Sequence, residues 1–405
     1  MSELRRIVNI DLTGPYSEGF TYQENLLPKY HAKLGFDTVM IATSYRWGKD
    51  GDLEYVGEAD YVDESGVRII RLEDDKARPC DKRFKKYSQL YGLLEELSPD
   101  IIFLHCCQIR DSKTIARYME SHDNCILYVD NHADYSNSAK NWLSKAILHR
   151  VIWRHYAQLL VPYARRFWGV LPARVDFLCE NYGVPREKCD LLVMGADDAE
   201  VARVSTPDAR VKVRSNLGFS EEDFLIVAGG KIDLAKTQIL SLMEAVRRID
   251  VKRVKLLVFG PIVEELQDRA ADFIDGSRVK YISWASSSES FDYFASADLV
   301  AFPGRHSVYW EQAAALGKPM LLKCWDGTTH VDCGGNVRYT SGDDAPSLVC
   351  DLLDIIQNPS YFSKMNDAGK AASSRFLYSE IASRSIDFAV LNSDFSSISD
   401  SHGEM

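Results

Sequence analysis

The sequence predicts an α/β protein built from two doubly wound parallel-sheet domains. Three observations carry that reading. At 405 residues the chain exceeds one ordinary core. Short apolar runs alternate with amphipathic ones along both halves, the pattern of parallel strands covered by helices. And no run of eighteen apolar residues interrupts the pattern, so no membrane-spanning helix is expected.

In the first half, "RIVNIDL" reads as a strand and "TYQENLLPKYHAKLG" as a helix closed by Gly35, interrupted or started late by Pro28. "TVMIATS" is the next strand, "KKYSQLYGLLEELS" a helix, "DIIFLHC" a strand, "DSKTIARYMESH" a helix and "CILYVDNH" a strand. The stretch 141–171, "NWLSKAILHRVIWRHYAQLLVPYARRFWGVL", is expected to be helical. "ARVDFLCENYGV" is a helix closed by Gly183, and "CDLLVMGADD" a strand running into a turn. The pattern then restarts: "FLIVAGG", "VKLLVFGP", "VKYISW", "DLVAFPG" and "PMLLKCW" are strands, separated by the amphipathic runs "TQILSLMEAVRRI", "VEELQDRAADFI", "SESFDYFASA" and "SVYWEQAAALG". The polar stretch "DDAEVARVSTPDAR" marks the boundary. Domains are expected at 1–196 and 197–375, with a C-terminal helix over 376–392 packing back on the first domain and a disordered tail at 393–405.

Charge and cysteine usage narrow the function. The net charge is −11, split as −2 over residues 1–196 and −9 over 197–405, which argues against a nucleic-acid binder. Nine cysteines lack CxxC spacing and point to free thiols in a reducing cytoplasm. The start of the chain has no long apolar segment of a secretory signal. Residues 139–175 hold Lys140, Lys145, Arg150, Arg154, Arg165, Arg166 and Arg174, no acid, and Trp142, Trp153 and Trp168. Basic plus aromatic on amphipathic helices suits an anionic membrane surface, and core helices with a solvated basic face explain it equally.

Chemistry enters where the strand "FLIVA" hands over to a helix through "GGKIDLAKTQ". Ligands of open α/β sheets sit at the carboxyl ends of strands, where glycines let backbone N–H groups approach an anion. Gly230, Lys231 and Lys236 would suit a diphosphate; taken alone, two lysines beside two glycines also describe a solvated loop.

These residues do not stand alone. Gly230-Lys231-Ile232, three residues, then Lys236-Thr237 resembles the Gly-Arg-Leu…Lys-Gly loop of the family 4 retaining glycosyltransferases, enzymes of the GT-B fold. Lysine replaces arginine at 231, and Thr237 replaces glycine. "SADLVAFPGRHSVYWEQAAALGKPML" is similar to the family's Ala-Asp, strand, loop, helix and Gly-x-Pro, and Glu311 fits the second of its two glutamates. The first is missing: eight residues before Glu311 stands Pro303. "DLTGPYSEGF" resembles the family's first strand and glycine loop. "CILYVDNHADY" resembles the segment that ends in a histidine, matched by His132, although a strand-end cap describes His132 as well. Met194-Gly195-Ala196-Asp197 resembles the interdomain strand, with Asp197 structural. The resemblance covers roughly residues 5–385.

The resemblance implies two Rossmann-like domains facing an interdomain cleft. It implies transfer of a sugar from a nucleotide diphosphate sugar, UDP or GDP undecided, to a glycan or lipid-linked hydroxyl with retention. Lys231 and Lys236 would hold the diphosphate, Glu311 the ribose, and His132 the donor sugar near the reacting carbon. Gly14 and Gly19 would line the cleft. Arg305 and His306 would stand in for the missing glutamate, with the N–H groups of Ser307 and Val308 opening the helix. No Asp-x-Asp pair suggests a metal, since "DDK" at 74–76 and "ADD" at 196–198 read as solvated turns, and no cofactor is expected. A sugar-nucleotide epimerase of the same fold and a catalytically inactive nucleotide-sugar binder are the alternatives.

Overall fold

The computed structural model describes residues 5–48, 52–75, 85–139, 141–142 and 144–388. Lys140 and Lys76, both singled out by the sequence, lie outside these residues, as do the expected tail at 393–405 and the end of the expected C-terminal helix. The described chain divides into two compact units: the part up to Val193 together with the part from Ile381, and Met194–Glu380.

The first unit is an eight-stranded sheet with β1 (Arg6–Asp11), β2 (Asp37–Thr43), β5 (Ala59–Val62), β6 (Arg68–Leu72), β7 (Ile101–Leu104), β8 (Ile126–Asn131), β9 (Ala164–Gly169) and β10 (Cys189–Leu191). The order is β10-β9-β8-β7-β1-β2-β6-β5, parallel except at the β5–β6 edge. A separate antiparallel pair joins β3 (Tyr45–Trp47) to β4 (Leu53–Tyr55). β7 reads as an unbroken apolar run, and β1 and β8 as apolar runs that also carry buried Asn9, Asp11, Asp130 and Asn131, because both faces of a parallel sheet are covered, and Ile7, Val8, Ile102 and Leu104 are fully buried.

The second unit is a six-stranded parallel sheet of β11 (Phe224–Gly229), β12 (Val254–Phe259), β13 (Val279–Ile282), β14 (Leu299–Phe302), β15 (Met320–Leu322) and β16 (Val337–Tyr339). Its order, β13-β12-β11-β14-β15-β16, is the doubly wound arrangement in which the strand order reverses beside the first strand. The reversal falls between β11 and β14 here and between β1 and β7 in the first unit. Crevices at such reversals are where α/β sheets bind ligands.

Several expectations are corrected. The stretch 141–171 is not one helical segment. Residues Ser144–Trp153 form a π-helix, Arg154–Leu160 an α-helix, and "ARRFWG" is strand β9. Pro162 is the reason: Val161 before it is still helical, but proline has no N–H to continue the ladder, so the helix stops at Leu160. Pro28 neither starts nor breaks its helix, which runs Gln23–Lys33 with Pro28 buried inside. The polar stretch beside the expected boundary forms helices Asp198–Val204 and Pro207–Asn216 of the second unit, shortly after the division at Val193. Asp197 caps the first, accepting from Ala199 N. Arg214 is fully buried in the second and binds Asp298, whose carboxylate also takes the Leu225 amide at the start of β11. The sequence also assigned no element between residues 45 and 84, where β3 to β6 lie. The C-terminal helix runs Tyr378–Ser385.

Candidate functional site

The second unit presents its site at the β11–β14 reversal. β11 ends at Gly229, where any side chain would begin 2.2 Å from the Phe259 ring, so only glycine fits. Gly230 follows at φ +104°, a left-handed conformation that glycine adopts without strain. These two residues turn the chain so that Lys231 leaves the strand end. A turn then brings the Lys236 N–H to the Asp233 carbonyl at 2.8 Å, and the helix Gln238–Arg248 begins. From β14 the chain passes through Gly304, Arg305 and Ser307 into the helix Tyr309–Ala315, with Val308 immediately before it. Lys231, Lys236, Gly304, Arg305 and Ser307 line one small hollow of about 20 Å³, floored by Ile232, Ile239 and Phe302. No aspartate or glutamate lines it, and none of its three cations forms an ion pair among the described residues. Cations without ion-pair partners around a glycine turn can receive an anion.

Glu311 is fully buried on the helix that follows. Its Oε1 accepts from His306 Nε2 at 2.9 Å and from His330 Nε2 at 2.7 Å, while its Oε2 is buried with no partner. Burial alone would raise the carboxyl pKa; the charges and hydrogen bonds of the two histidines hold it well below the usual range. One oxygen is thus committed inside the protein, and the other remains an unused acceptor. The resemblance gave this carboxylate to the ribose, with no partner inside the protein. His330 was not foreseen: nineteen residues beyond Glu311, it follows the short strand β15 in a turn that no local pattern marks.

The first unit gathers a second group at the carboxyl ends of β1, β7 and β8. Asp130 and His132 are two residues apart at the end of β8, which puts both side chains on one side. Asp130 is fully buried. Its Oδ1 accepts from Cys106 N at 2.8 Å; its Oδ2 accepts from His105 Nδ1 at 3.0 Å, Gln23 Nε2 at 3.2 Å and His132 Nε2 at 3.3 Å. Burial would raise the Asp130 pKa, yet His132 and His105 hold it well below the carboxylate range. In turn Asp130 outweighs burial and raises His105. Burial pushes the nearby Asp11 and Glu24 carboxyls up. His132 lines a cavity of about 640 Å³ together with Leu12, Thr13 and Cys106. Gly14 and Gly19 do not line it: the Gly14 carbonyl accepts from Thr43 Oγ1, and Gly19 takes φ +77° in an exposed turn. Asp130 and His105 were missed by the sequence reading, although the two-residue spacing in "DNH" was a usable signal.

The expectation of no metal-ligating cluster also changes. Cys106, Asp130 and His132 form one group with ligand-type atoms within 4.8 Å of one another; His306, Glu311 and His330 form another. In the second group the 2.7 and 2.9 Å contacts are hydrogen-bond distances, shorter than the ligand separations of about 3.3 Å that tetrahedral zinc requires. In the first, burial raises the Cys106 thiol well above its ordinary pKa.

The basic stretch 139–175 is likewise redistributed. Arg165 and Arg166 stand on β9 near Asp387, and Arg174 binds Asp134 at 3.0 Å. Trp153 and Trp168 are buried, whereas Trp142, Ile147 and Val151 are 76%, 48% and 60% exposed. No helix among the described residues is long and apolar enough to cross a membrane.

The two Rossmann-like sheets give the chain the GT-B fold. Comparison with solved structures agrees. HepE from Anabaena, solved with UDP and glucose, is 15% identical with a TM-score of 0.61, covering 96% of this chain and 100% of that one. A glycosyltransferase from Rickettsia africae is 12% identical with a TM-score of 0.67, over 95% and 98%. A protein from Listeria monocytogenes described as a UDP-N-acetylglucosamine 2-epimerase is 14% identical with a TM-score of 0.60, over 97% of each chain. No family model and no curated protein matches the sequence.

Proposed function

We propose that the chain is a retaining glycosyltransferase of family 4 type, moving a sugar from a nucleotide diphosphate sugar to a hydroxyl of a glycan or lipid-linked acceptor in glycoconjugate synthesis. One observation carries the reading. Lys231, Lys236 and Arg305 converge, with no carboxylate among them, at the strand reversal of a GT-B domain. In such a transfer, negative charge grows on the leaving diphosphate as the glycosidic bond breaks. Fixed cations placed where that charge develops lower the barrier, by factors of roughly 10²–10³ for each well-placed donor. Three of them can do so without a metal. The free Oε2 of Glu311 suits one ribose hydroxyl, and the second hydroxyl would use His306 or His330 after a small shift. Arg305 and His306 take the place of the missing glutamate, and Ser307 and Val308 supply N–H groups. His132, held by Asp130, serves the donor sugar, with Gly14 and Gly19 shaping the loop after β1.

We assign the enzyme to the cytoplasmic face of a membrane as a peripheral protein, supported by exposed Trp142, Ile147 and Val151 beside Arg150 and Arg154. In flotation with anionic vesicles, replacing Trp142 and Val151 with serine should leave the protein in the bottom fraction. Equal flotation of both proteins would remove the membrane assignment. The Listeria neighbour keeps an epimerase as a second reading.

A panel of sugar nucleotides tests the proposal, beginning with UDP-sugars because HepE was solved with UDP. The correct donor at 100 times its dissociation constant should stabilise the protein by about 2.7 kcal/mol. Nucleoside diphosphate should then be released when acceptor is added. Conversion of the donor to an epimer without an acceptor would favour the second reading, and no stabilisation by any sugar nucleotide would end both.

A further inference from the structure

The 640 Å³ cavity of the first unit has a wall of unusual construction. Residues Ser144–Trp153 are wound as a π-helix ten residues long, where such turns are rare and usually single. The winding decides which side chains share a face. In an α-helix of about 3.6 residues per turn, Ser144 and Trp153, nine positions apart, would point in opposite directions. With i→i+5 bonding and about 4.4 residues per turn, they nearly coincide. Ser144, Leu148, His149 and Trp153 accordingly all line the cavity, while Ile147 and Val151 face away, exposed. An ordinary helix with this sequence would not build that wall.

Several polar groups of the lining are fixed as donors, while Gln108, with both Nε2 hydrogens committed, offers only its oxygen as an acceptor. The Asn131 amide group donates to the Ala133 and Arg174 carbonyls, so its oxygen receives Gln108 Nε2 at 2.6 Å. Gln108 Nε2 also donates to the Tyr182 hydroxyl at 2.9 Å. The Tyr182 hydrogen is therefore directed to His149 Nδ1, 2.8 Å away, which leaves His149 with its proton on Nε2. Asn141 uses its oxygen on the Ser144 amide, which frees its NH₂ group as a donor. Lys85 and Arg110 add two cationic side chains to the lining, and no aspartate or glutamate among the described residues joins them. Asp11 and Asp74 act on Lys85 from outside the cavity. Donors and two positive charges around a volume that fits a sugar call for a polyanionic group on the ligand.

We propose that this cavity binds the acceptor through a phosphate group, which Lys85, Arg110, the Asn141 amide and the His149 Nε2–H receive, beside His132. The identification of the ligand as an acceptor rests on the glycosyltransferase reading; the phosphate site does not. The phosphate can belong to a soluble sugar phosphate or to a lipid-linked one, and two arms of one experiment separate the sources. In the first, glucose 6-phosphate is titrated calorimetrically into the full chain, with glucose and glucuronate as controls. In the second, the chain is sedimented with phosphatidylcholine vesicles with and without a polyprenyl phosphate. Each arm uses the wild-type chain, Lys85→Ala, Arg110→Ala and Lys236→Ala, with unchanged thermal midpoints showing that the variants fold.

Binding weakened about tenfold or more in Lys85→Ala or Arg110→Ala, the loss of one charge-assisted hydrogen bond, and unchanged in Lys236→Ala, supports the site. The arm in which this occurs names the source. Phosphate binding that neither variant weakens in either arm, or no binding in both, overturns the proposal, as does glucuronate binding as tightly as the phosphate. UDP titrated into the same proteins keeps the two readings apart. A wild-type chain that binds glucose 6-phosphate through Lys85 but no nucleotide would retain the phosphate site and remove the transferase.

Discussion

Replacing Asp130 with asparagine removes one negative charge from a fully buried site that receives four donors. Asparagine has one accepting oxygen and a donating NH₂. If its oxygen faces His105, Gln23 and His132, its NH₂ opposes the Cys106 amide. If the oxygen faces Cys106, the NH₂ opposes three donors. Either way a buried donor meets a donor. Breaking a buried charged cluster by removing one partner costs about 3–5 kcal/mol. The loss should depend on pH. The depressed Asp130 pKa contributes stability above the unfolded value of about 3.9, lost as pH falls. The raised His105 pKa contributes stability below the unfolded value of about 6.5, lost as pH rises through the folded value. The gap between wild type and Asp130→Asn should therefore be widest from about pH 4 to about pH 6.5. Urea unfolding followed by tryptophan fluorescence, with buried Trp153 and Trp168 as reporters of the first unit, measures it. A loss under about 1 kcal/mol, or a gap that does not vary with pH, would refute the reasoning.

The second unit has a contrasting case: in Glu311→Gln the carbonyl can stay on His306 and His330, so two charge-assisted bonds become neutral ones and an NH₂ is buried in place of Oε2, which should cost about 2–3 kcal/mol at pH 7, read in the same experiment. Gly229→Ala would place a methyl 2.2 Å from the Phe259 ring and should lower stability by about 1–3 kcal/mol, visible as a lowered thermal midpoint. His31 is fully buried and burial lowers its pKa to about 3, with Nε2 donating to Ser385 Oγ. Its neutral form contributes stability above about pH 6.5, lost as pH falls towards 3, at up to about 1.4 kcal/mol per pH unit. His31→Gln should flatten that acid limb in a pH series of unfolding curves.

Much of the fold was legible because parallel strands buried on both faces leave unbroken apolar runs. β7 and β11 announce themselves in this way, and β1 and β8 do so despite the buried polar residues they carry. β9 did not, because "ARRFWG" puts two arginines in a strand flanked by helical sequence, and only Pro162 marked the break. β5 lies at an antiparallel edge with alternating exposure, and β3 and β4 are three residues each, too short for periodicity to register. Of the site, Lys231 with Lys236, and Arg305 with Ser307, were legible because in each case strand, loop and helix are continuous in sequence, and the pairing of β11 with β14 brings the two loops to one hollow. His330 and His105 escaped because their partners are nineteen and twenty-five residues away, and only the folded sheet brings them together. The π-helix was invisible for a different reason: its apolar spacing fits several helical windings until the chain beyond it is placed.

The central claim is that the β11–β14 reversal holds a diphosphate, and calorimetric titration of UDP, GDP and ADP into wild type and Lys236→Ala tests it most directly. At least one nucleotide should bind the wild type, and the variant should lose about 1.5–3 kcal/mol of affinity with its melting point unchanged. Equal affinity in the two proteins, or binding of none of the three nucleotides to the wild type, would contradict it.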